Sequence, residues 1–247
     1  MKNSLSAFML CFFLPGTVFA NPADYIFTPI VDYGEREIDF KAGKVFPQGG
    51  NSARGVSLGY GYGAKEYWFT EVYLKHEDSG SSDANLAEWE NKFQFTETGR
   101  YPVEVGFVTE LEAPLNRNAR WNINIGPLFQ TEFGKLQLNG NLLLGRQFGS
   151  ADNSGVPFIT DFNYQWQAKY RWRPVLEFGM QGLVDMGKWN DWNSHANQFH
   201  RIGPAIFGKL VAGNRQAIKY NAAWLLSEST SAHNADHTLR MQVEYEF

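Results

Sequence analysis

Cysteine is almost missing from this chain. Cys11 is the single one in 247 residues, and it lies near the amino terminus. The rest of the sequence therefore has no route to a disulfide or a thiolate metal site. Long apolar runs are missing too. Nothing after Ala20 approaches the ~18 continuous apolar residues of a membrane-spanning helix, which excludes helical spans. Convincing stretches of period 3.6 are absent, which argues against a helical bundle. The 22 Lys and Arg and 26 Asp and Glu residues leave a formal charge of −4 and form no block of one sign, so no nucleic-acid surface is expected.

The first 20 residues read as a unit of their own. Lys2 supplies a short positive region, Leu5 to Leu14 an apolar stretch, and Pro15 and Gly16 a break. Val18-Phe19-Ala20 then has the form of a cleavage site. This is the layout of a secretory signal peptide, and it predicts a leader over 1–20 and one domain over 21–247. A lipoprotein signal using Cys11 is the rival reading, but Leu10 stands where a small residue belongs.

What the rest of the chain does have is alternation. Phe162, Tyr164, Trp166, Ala168, Tyr170 and Trp172 share one parity, and Asn163, Gln165, Gln167, Lys169 and Arg171 share the other. Side chains of a strand point alternately to opposite faces, so one face of this segment is apolar and the other polar. The pattern recurs from Ile38, Phe40 and Ala42 against Glu37, Asp39 and Lys41 to Leu239, Met241, Val243, Tyr245 and Phe247 against Arg240, Gln242, Glu244 and Glu246. Such segments number about twelve, at the spacing of an up-and-down meander.

Connections between the segments alternate as well. Tight turns are predicted at Gly63-Ala64-Lys65, Thr98-Gly99-Arg100, Phe133-Gly134-Lys135, Trp172-Arg173-Pro174 and Gly213-Asn214-Arg215. Longer polar stretches fall near 44–54, 76–85, 112–119, 146–160, 186–198 and 228–236. All tight turns then lie at one end, as in outer-membrane barrels with short periplasmic turns and longer extracellular loops.

Alternation alone does not separate a membrane barrel from a soluble sandwich, since each has one apolar face. The export signal without cysteines, the rhythm of the connections and a last strand ending on Phe247 favour the barrel. Interior volume agrees, because the aromatics of twelve strands, 16% of the chain being aromatic, would overfill a soluble barrel if turned inward. The apolar face is therefore assigned to lipid. Closure follows, because an open sheet edge in hydrocarbon leaves backbone groups unpaired. The expected fold is all-β, a single transmembrane antiparallel barrel of about twelve strands.

Several stretches, YGEREIDFKAG (33–43), EWENKFQFTETGRYPV (88–103), YQWQAKYRWRPVLEFGMQG (164–182), GPAIFGKL (203–210) and RMQVEYEF (240–247), resemble a family of proteobacterial outer-membrane proteins. The resemblance covers most of the chain after the leader and implies a barrel, with no activity attached. In size and layout the chain is also similar to barrels linked with meta-pathway phenol degradation, which are regarded as channels. Its terminal Val243-Glu244-Tyr245-Glu246-Phe247 resembles the signal read by the barrel-assembly machinery.

The face assigned to the lumen carries both signs of charge. The candidate pore lining is acidic at Glu37, Asp39, Glu71, Glu88, Glu90, Glu104, Glu110, Glu177, Asp185 and Glu244. It is basic at Lys41, Lys92, Lys169, Arg171, Arg201, Lys209, Lys219 and Arg240, with Lys75 and Glu246 on the same parity. Such a wall either selects small solutes or closes on itself as an internal ion-pair network. Twelve strands lie between the filled barrel of 8 and the open one of 16, and the inward Gly59 and Gly61 favour space.

The five histidines, His76, His195, His200, His233 and His237, fall in or beside long connections, where ordinary polar loop residues are the simpler account than a metal site. Ser194-His195 with Asp191, or Ser229 and Ser231 near His233, supply nucleophile and base types without a spacing that joins them. No catalytic residue, cofactor or metal is assigned on this basis, and an outer-membrane lipid hydrolase ranks last. Basic residues at the tight turns, Lys65, Arg100, Lys135, Arg173 and Arg215, suit phospholipid headgroups or plain solvation. Trp189 and Trp192 suit stacking on a ligand or packing on the rim, and packing is preferred. The expected protein is a passive or substrate-selective channel in the outer membrane of a Gram-negative cell. Its partners are membrane lipids, the barrel-assembly machinery through Phe247, and small solutes. The alternative is a non-conducting receptor, adhesin or envelope scaffold acting through its loops.

Overall fold

Alternating sequence becomes alternating exposure. In a computed structural model of the chain, β1 (Arg36–Phe46) buries Glu37, Asp39 and Lys41 and exposes Ile38 and Phe40. The structure describes residues 22–47, 52–80, 82–116, 120–149, 158–195, 198–214, 216–228 and 236–247. The leader over 1–20, Asn21, Arg215, Ser229, Ser231 and His233 lie outside these residues.

Eleven further strands follow, namely β2 (Arg54–Lys65), β3 (Trp68–Asp78), β4 (Asp83–Gln94), β5 (Val103–Pro114), β6 (Trp121–Phe133), β7 (Leu136–Phe148), β8 (Thr160–Arg173), β9 (Leu176–Lys188), β10 (Phe199–Gly213), β11 (Gln216–Glu228) and β12 (Asp236–Glu246). Each pairs antiparallel with its sequence neighbours, and β1 pairs with β12 to close the ring. Along that seam Glu37 faces Glu246, Asp39 faces Glu244 and Lys41 faces Gln242, without a register shift. A closed ring leaves no strand edge, which a sheet immersed in hydrocarbon requires.

The two faces are inverted relative to a soluble protein. Leu58, Val72, Leu74, Trp89, Phe178, Ile206, Trp224 and Leu239 stand exposed on the outside, each with between 47% and 63% of its surface free. Inside, Glu90 and Asn141 are fully enclosed and Asp39, Gln181 and Arg201 nearly so. A continuous apolar exterior around a charged interior is stable only where the surroundings are themselves apolar, so the outer face is a lipid-facing one.

Three of the five turns at one end occupy two residues each, at 66–67, 134–135 and 174–175, and at a fourth Gly213 pairs with Gln216. Gly134 adopts a φ of 61°, the left-handed conformation that a two-residue hairpin demands. The fifth corrects the expected rhythm. Thr98-Gly99-Arg100 is the middle of an eight-residue connection over 95–102, while the stretch expected as a long loop at 76–85 contracts to 79–82. Both changes have local causes. Glu104 accepts from Thr96 Oγ1 and from the Gly99 amide and so holds the longer turn together. At the other end Asp78 accepts from the Gly80 amide and Ser79 bonds Ser82, which lets β3 and β4 run on to Asp78 and Asp83.

Candidate functional site

The barrel interior is occupied. Residues 22–35 precede β1 and run inside the ring as a strap, between the tight-turn end and the half of the lumen nearer the long loops. At the tight-turn end the Gly34 amide donates to the Gly63 carbonyl, and the Asp32 carbonyl lies against Gly63. At the other end of the strap the Pro22 carbonyl lies against Gly43 of β1.

Three consecutive strap residues reach three different parts of the wall. Tyr25 donates its hydroxyl to Glu90 Oε2 at 2.5 Å, and its ring lies 3.4 Å from the Lys41 ammonium. Ile26 is buried with Leu183, Ala205, Phe207, Ala223 and Leu225 of β9, β10 and β11. Phe27 is buried with Val108, Leu128 and Leu143 of β5, β6 and β7. Side-chain bonds fasten the strap backbone, with Asn141 donating to the Phe27 carbonyl at 3.1 Å and the Val31 amide donating to Gln94 at 2.7 Å. Arg240 donates to the Asp24 carbonyl. Burial pushes the carboxyl of Asp24 and the phenol of Tyr25 above their ordinary values, the nearby Glu90 adding to the effect at Tyr25.

Two chambers lie on either side of this crossing. The one toward the long loops has a volume of about 620 Å³, and Lys41, Lys75, Glu88, Glu110, Glu112, Asp161, Asp185 and Arg201 are among its lining residues. The one toward the tight turns has about 410 Å³ and includes Glu37, Asp39, Glu71, Lys92, Lys169, Arg171, Glu177, Lys209, Lys219 and Glu244. Tyr25 borders both. Fifteen residues of the expected lining therefore face a chamber. Glu90 lies beneath Tyr25, Arg240 beneath the strap at Asp24, and Glu104 in the turn it holds.

The charges are not evenly spread. Lys75 Nζ sits 2.8 Å from Glu88, also binds Glu112, and lies 3.9 Å from Glu77. Lys41 lies 3.3 Å from Asp39, and Tyr73 donates to the same carboxylate. Glu71, Glu90 and Glu110 stand directly opposite one another across β3, β4 and β5. Carboxylate oxygens of Glu88, Glu90 and Glu110 come within 4.8 Å of one another, as do those of Glu35, Glu37 and Glu246. Hard cations favour such oxygens, but Lys75 and Tyr25 already engage Glu88 and Glu90, and no metal is assigned.

Across the lumen the wall is amide. Gln137 and Asn139 donate to Gln130, Gln181 donates to Gln167, and Asn141 donates to Gln165. Protonated Glu35, at the foot of the strap, is favoured by burial and by a bond to Glu246, so its carboxyl rises to about 7.

Sequence reading missed the strap, and one of its arguments for open space is overturned. A Cβ at Gly59 would lie 2.3 Å from the Tyr73 ring, and one at Gly61 2.4 Å from the Phe69 ring. These glycines make room for aromatic side chains of β3 and add no pore volume. The available signal was a set of breaks in parity. Val108, Leu128, Leu143, Leu183, Phe207 and Leu225 are apolar at inward positions, and all six belong to the two clusters that receive Phe27 and Ile26.

Among the described loop candidates, two histidines come together and a third takes a tryptophan as its partner. His195 lies beside His200, with ring centroids 5.3 Å apart, while the Trp224 indole donates to His237. Trp192 stacks on Phe162 at 5.7 Å, the rim packing expected for it.

Similar architectures are known at low sequence identity. The porin NanC superposes with a TM-score of 0.57 at 12% identity, over 83% of this chain and 98% of that one. A COG4313 outer-membrane channel from Pseudomonas putida F1 gives 0.54 at 12% identity, over 92% and 98%. The translocator domain of the autotransporter NalP from Neisseria meningitidis gives 0.52 at 14% identity, over 87% and 89%. No protein-family model matches the chain, and no curated protein matches it. Likeness at this level shows the fold alone, and that fold, a closed antiparallel barrel of twelve strands, is shared with barrels of the Gram-negative outer membrane.

Proposed function

We propose that the protein is a passive, charge-selective channel for small solutes in the outer membrane, with its tight turns in the periplasm and its long connections outside. The observation that carries this reading is the pair of chambers, about 620 and 410 Å³, lined by both signs of charge within an apolar-walled barrel. Ionisable groups enclosed without a solvated path would be costly, so a wall of this kind suits a water-filled route. Each chamber carries both signs: Lys41, Lys75 and Arg201 stand with Glu88, Glu110 and Glu112 in the larger, and Lys92, Lys169, Lys209 and Lys219 with Glu37, Glu71 and Glu244 in the smaller. Solutes bearing both a cationic and an anionic group match such a mixed lining better than singly charged ones. NanC and the P. putida protein bear the words porin and channel, which agrees with this assignment. The exterior then meets membrane lipid, and the final strand ending at Phe247 is the segment offered to the assembly machinery. The leader over 1–20 is removed on export in this scheme.

Purified protein in planar bilayers is expected to give discrete conductance steps of small amplitude. A folded, inserted protein that stays silent under all voltages would overturn the channel reading. It would favour a barrel acting through its outer loops, and the strap lying between the chambers is the observation on that side.

A further inference from the structure

Residues 22–33 of the strap are unlike the rest of the interior in one respect: no ladder of the ring uses their backbone. Every strand of β1–β12 is paired on both sides, and among the described residues before Arg36 only Gly34 and Glu35 bond the backbone of a strand, at Gly63. Residues 22–33 therefore sit in the barrel as a ligand sits in a site.

The wall is shaped for that ligand. Gly43 and Gly106 face inward where a Cβ would meet Pro22 O at 2.0 Å and Pro29 Cβ at 2.9 Å. At Gly63 a Cβ would lie 2.0 Å from Asp32 O. Three glycines on three strands thus form a track for a backbone, one near each end and one between. Two apolar recesses interrupt an otherwise polar wall, and each receives one strap side chain, Ile26 or Phe27. A third recess, formed by Lys41 and Glu90, takes a phenol. Pro22 and Pro29 lack an amide hydrogen, which lowers the number of backbone donors that need partners in the lumen.

We propose that the lumen contains a peptide-binding groove whose ligand is residues 22–33 held in cis, recognised by its Tyr-Ile-Phe triplet, and that release of this segment joins the two chambers into one passage. The groove accepts an extended peptide with the order aromatic, aliphatic, aromatic followed by proline. It selects that order because side chains of an extended chain alternate between two sides. Ile26 enters the recess of β9–β11. Tyr25 and Phe27, with ring centroids 4.6 Å apart, share the other side and divide it between the Lys41–Glu90 recess and that of β5–β7. The groove goes beyond the channel reading. Only its effect on conductance depends on that reading.

The experiment uses the full chain carrying Tyr25→Ala, Ile26→Ala and Phe27→Ala, folded in detergent, and a fluorescent synthetic peptide of residues 22–33. Anisotropy should show saturable binding to the triple variant, with affinity for wild type, whose groove is filled, lower by about ten-fold or more. A peptide carrying the same three alanines should not bind. Adding Ala223→Phe to the triple variant, which fills the recess of Ile26, should reduce binding by a similar factor. Equal binding to wild type and triple variant, or no loss with Ala223→Phe, would overturn the proposal. So would failure of the triple variant to fold under conditions where wild type folds, since the segment would then be obligatory core. In bilayers the triple variant should conduct more than wild type, and the peptide should block it. Specific binding without any change in conductance would keep the groove and remove the channel reading instead.

Discussion

The two sides of the lumen solve the same problem with different chemistry. On β1, β3, β4 and β5 the ionisable inward residues are carboxylates with a few ammonium groups among them, while β2 turns Ser57 and a row of glycines inward. From β6 to β9 the middle of the wall is asparagine and glutamine, and charges such as Glu132, Asp161, Asp185 and Glu177 stand toward the ends. An amide carries a donor and an acceptor, so a sheet of them bonds to itself, whereas an ionised carboxylate only accepts. The amide wall leaves the carbonyls of Asn141 and Gln181 without a protein donor, and the acidic wall leaves oxygens of Asp39, Glu71 and Glu90 in that state. An unmet neutral carbonyl costs far less than an unmet charge. The acidic wall is accordingly the one that depends on particular partners, namely Lys75, Lys41 and the phenol of the strap.

The largest expected effect comes from removing the cation at the centre of the acidic wall. Lys75→Met leaves Glu88 and Glu112 enclosed without their ion pair and should lower stability by about 3–5 kcal/mol, read from the urea midpoint of refolded protein. Adding Glu112→Gln should return part of that loss, and purely additive effects would show that the two groups do not act as a pair.

A cut of similar size in the amide wall should do less. Gln167 accepts from Gln181 and donates to Asn139, and Gln167→Met should cost about 1–2 kcal/mol by the same measurement. A loss equal to that of Lys75→Met would erase the distinction between the walls.

The smallest effect concerns pH. Glu35 has a folded-state pKa of about 7 against an ordinary 4.5. The folded barrel therefore holds a proton that the unfolded chain releases. The stability this gives is complete below the ordinary value and is lost as pH rises through 7. Glu35 is partly exposed, so screening keeps its share below about 1 kcal/mol. Urea midpoints at pH 5 and pH 8 should differ less in Glu35→Gln than in wild type, and an unaltered difference would assign the titration elsewhere. Gln167→Met, which removes no titratable group, should leave the slope as it is.

Parity made most of the barrel readable in advance. Most strands between Arg36 and Glu246 turn their polar set inward, because period-2 alternation is the direct imprint of one lipid face and one polar face. Strand ends were less legible. Asp78, Glu104 and the serines at 79 and 82 decide the lengths of two connections through side-chain bonds that no periodicity records. The strap was illegible for a different reason. Fourteen residues with no alternation look like a linker, and the six apolar residues at inward parity say that something covers them without saying what. Long-range partners such as Phe27 and Leu143 share no local pattern.

One topological fact bears on how such a molecule comes to exist. β1 is at once the strand that zips against β12 and the strand to which the interior segment is tethered. The seam of the cylinder is thus made by the same piece of chain that carries its filling, so the seating of the interior segment and the closure of the wall are mechanically linked.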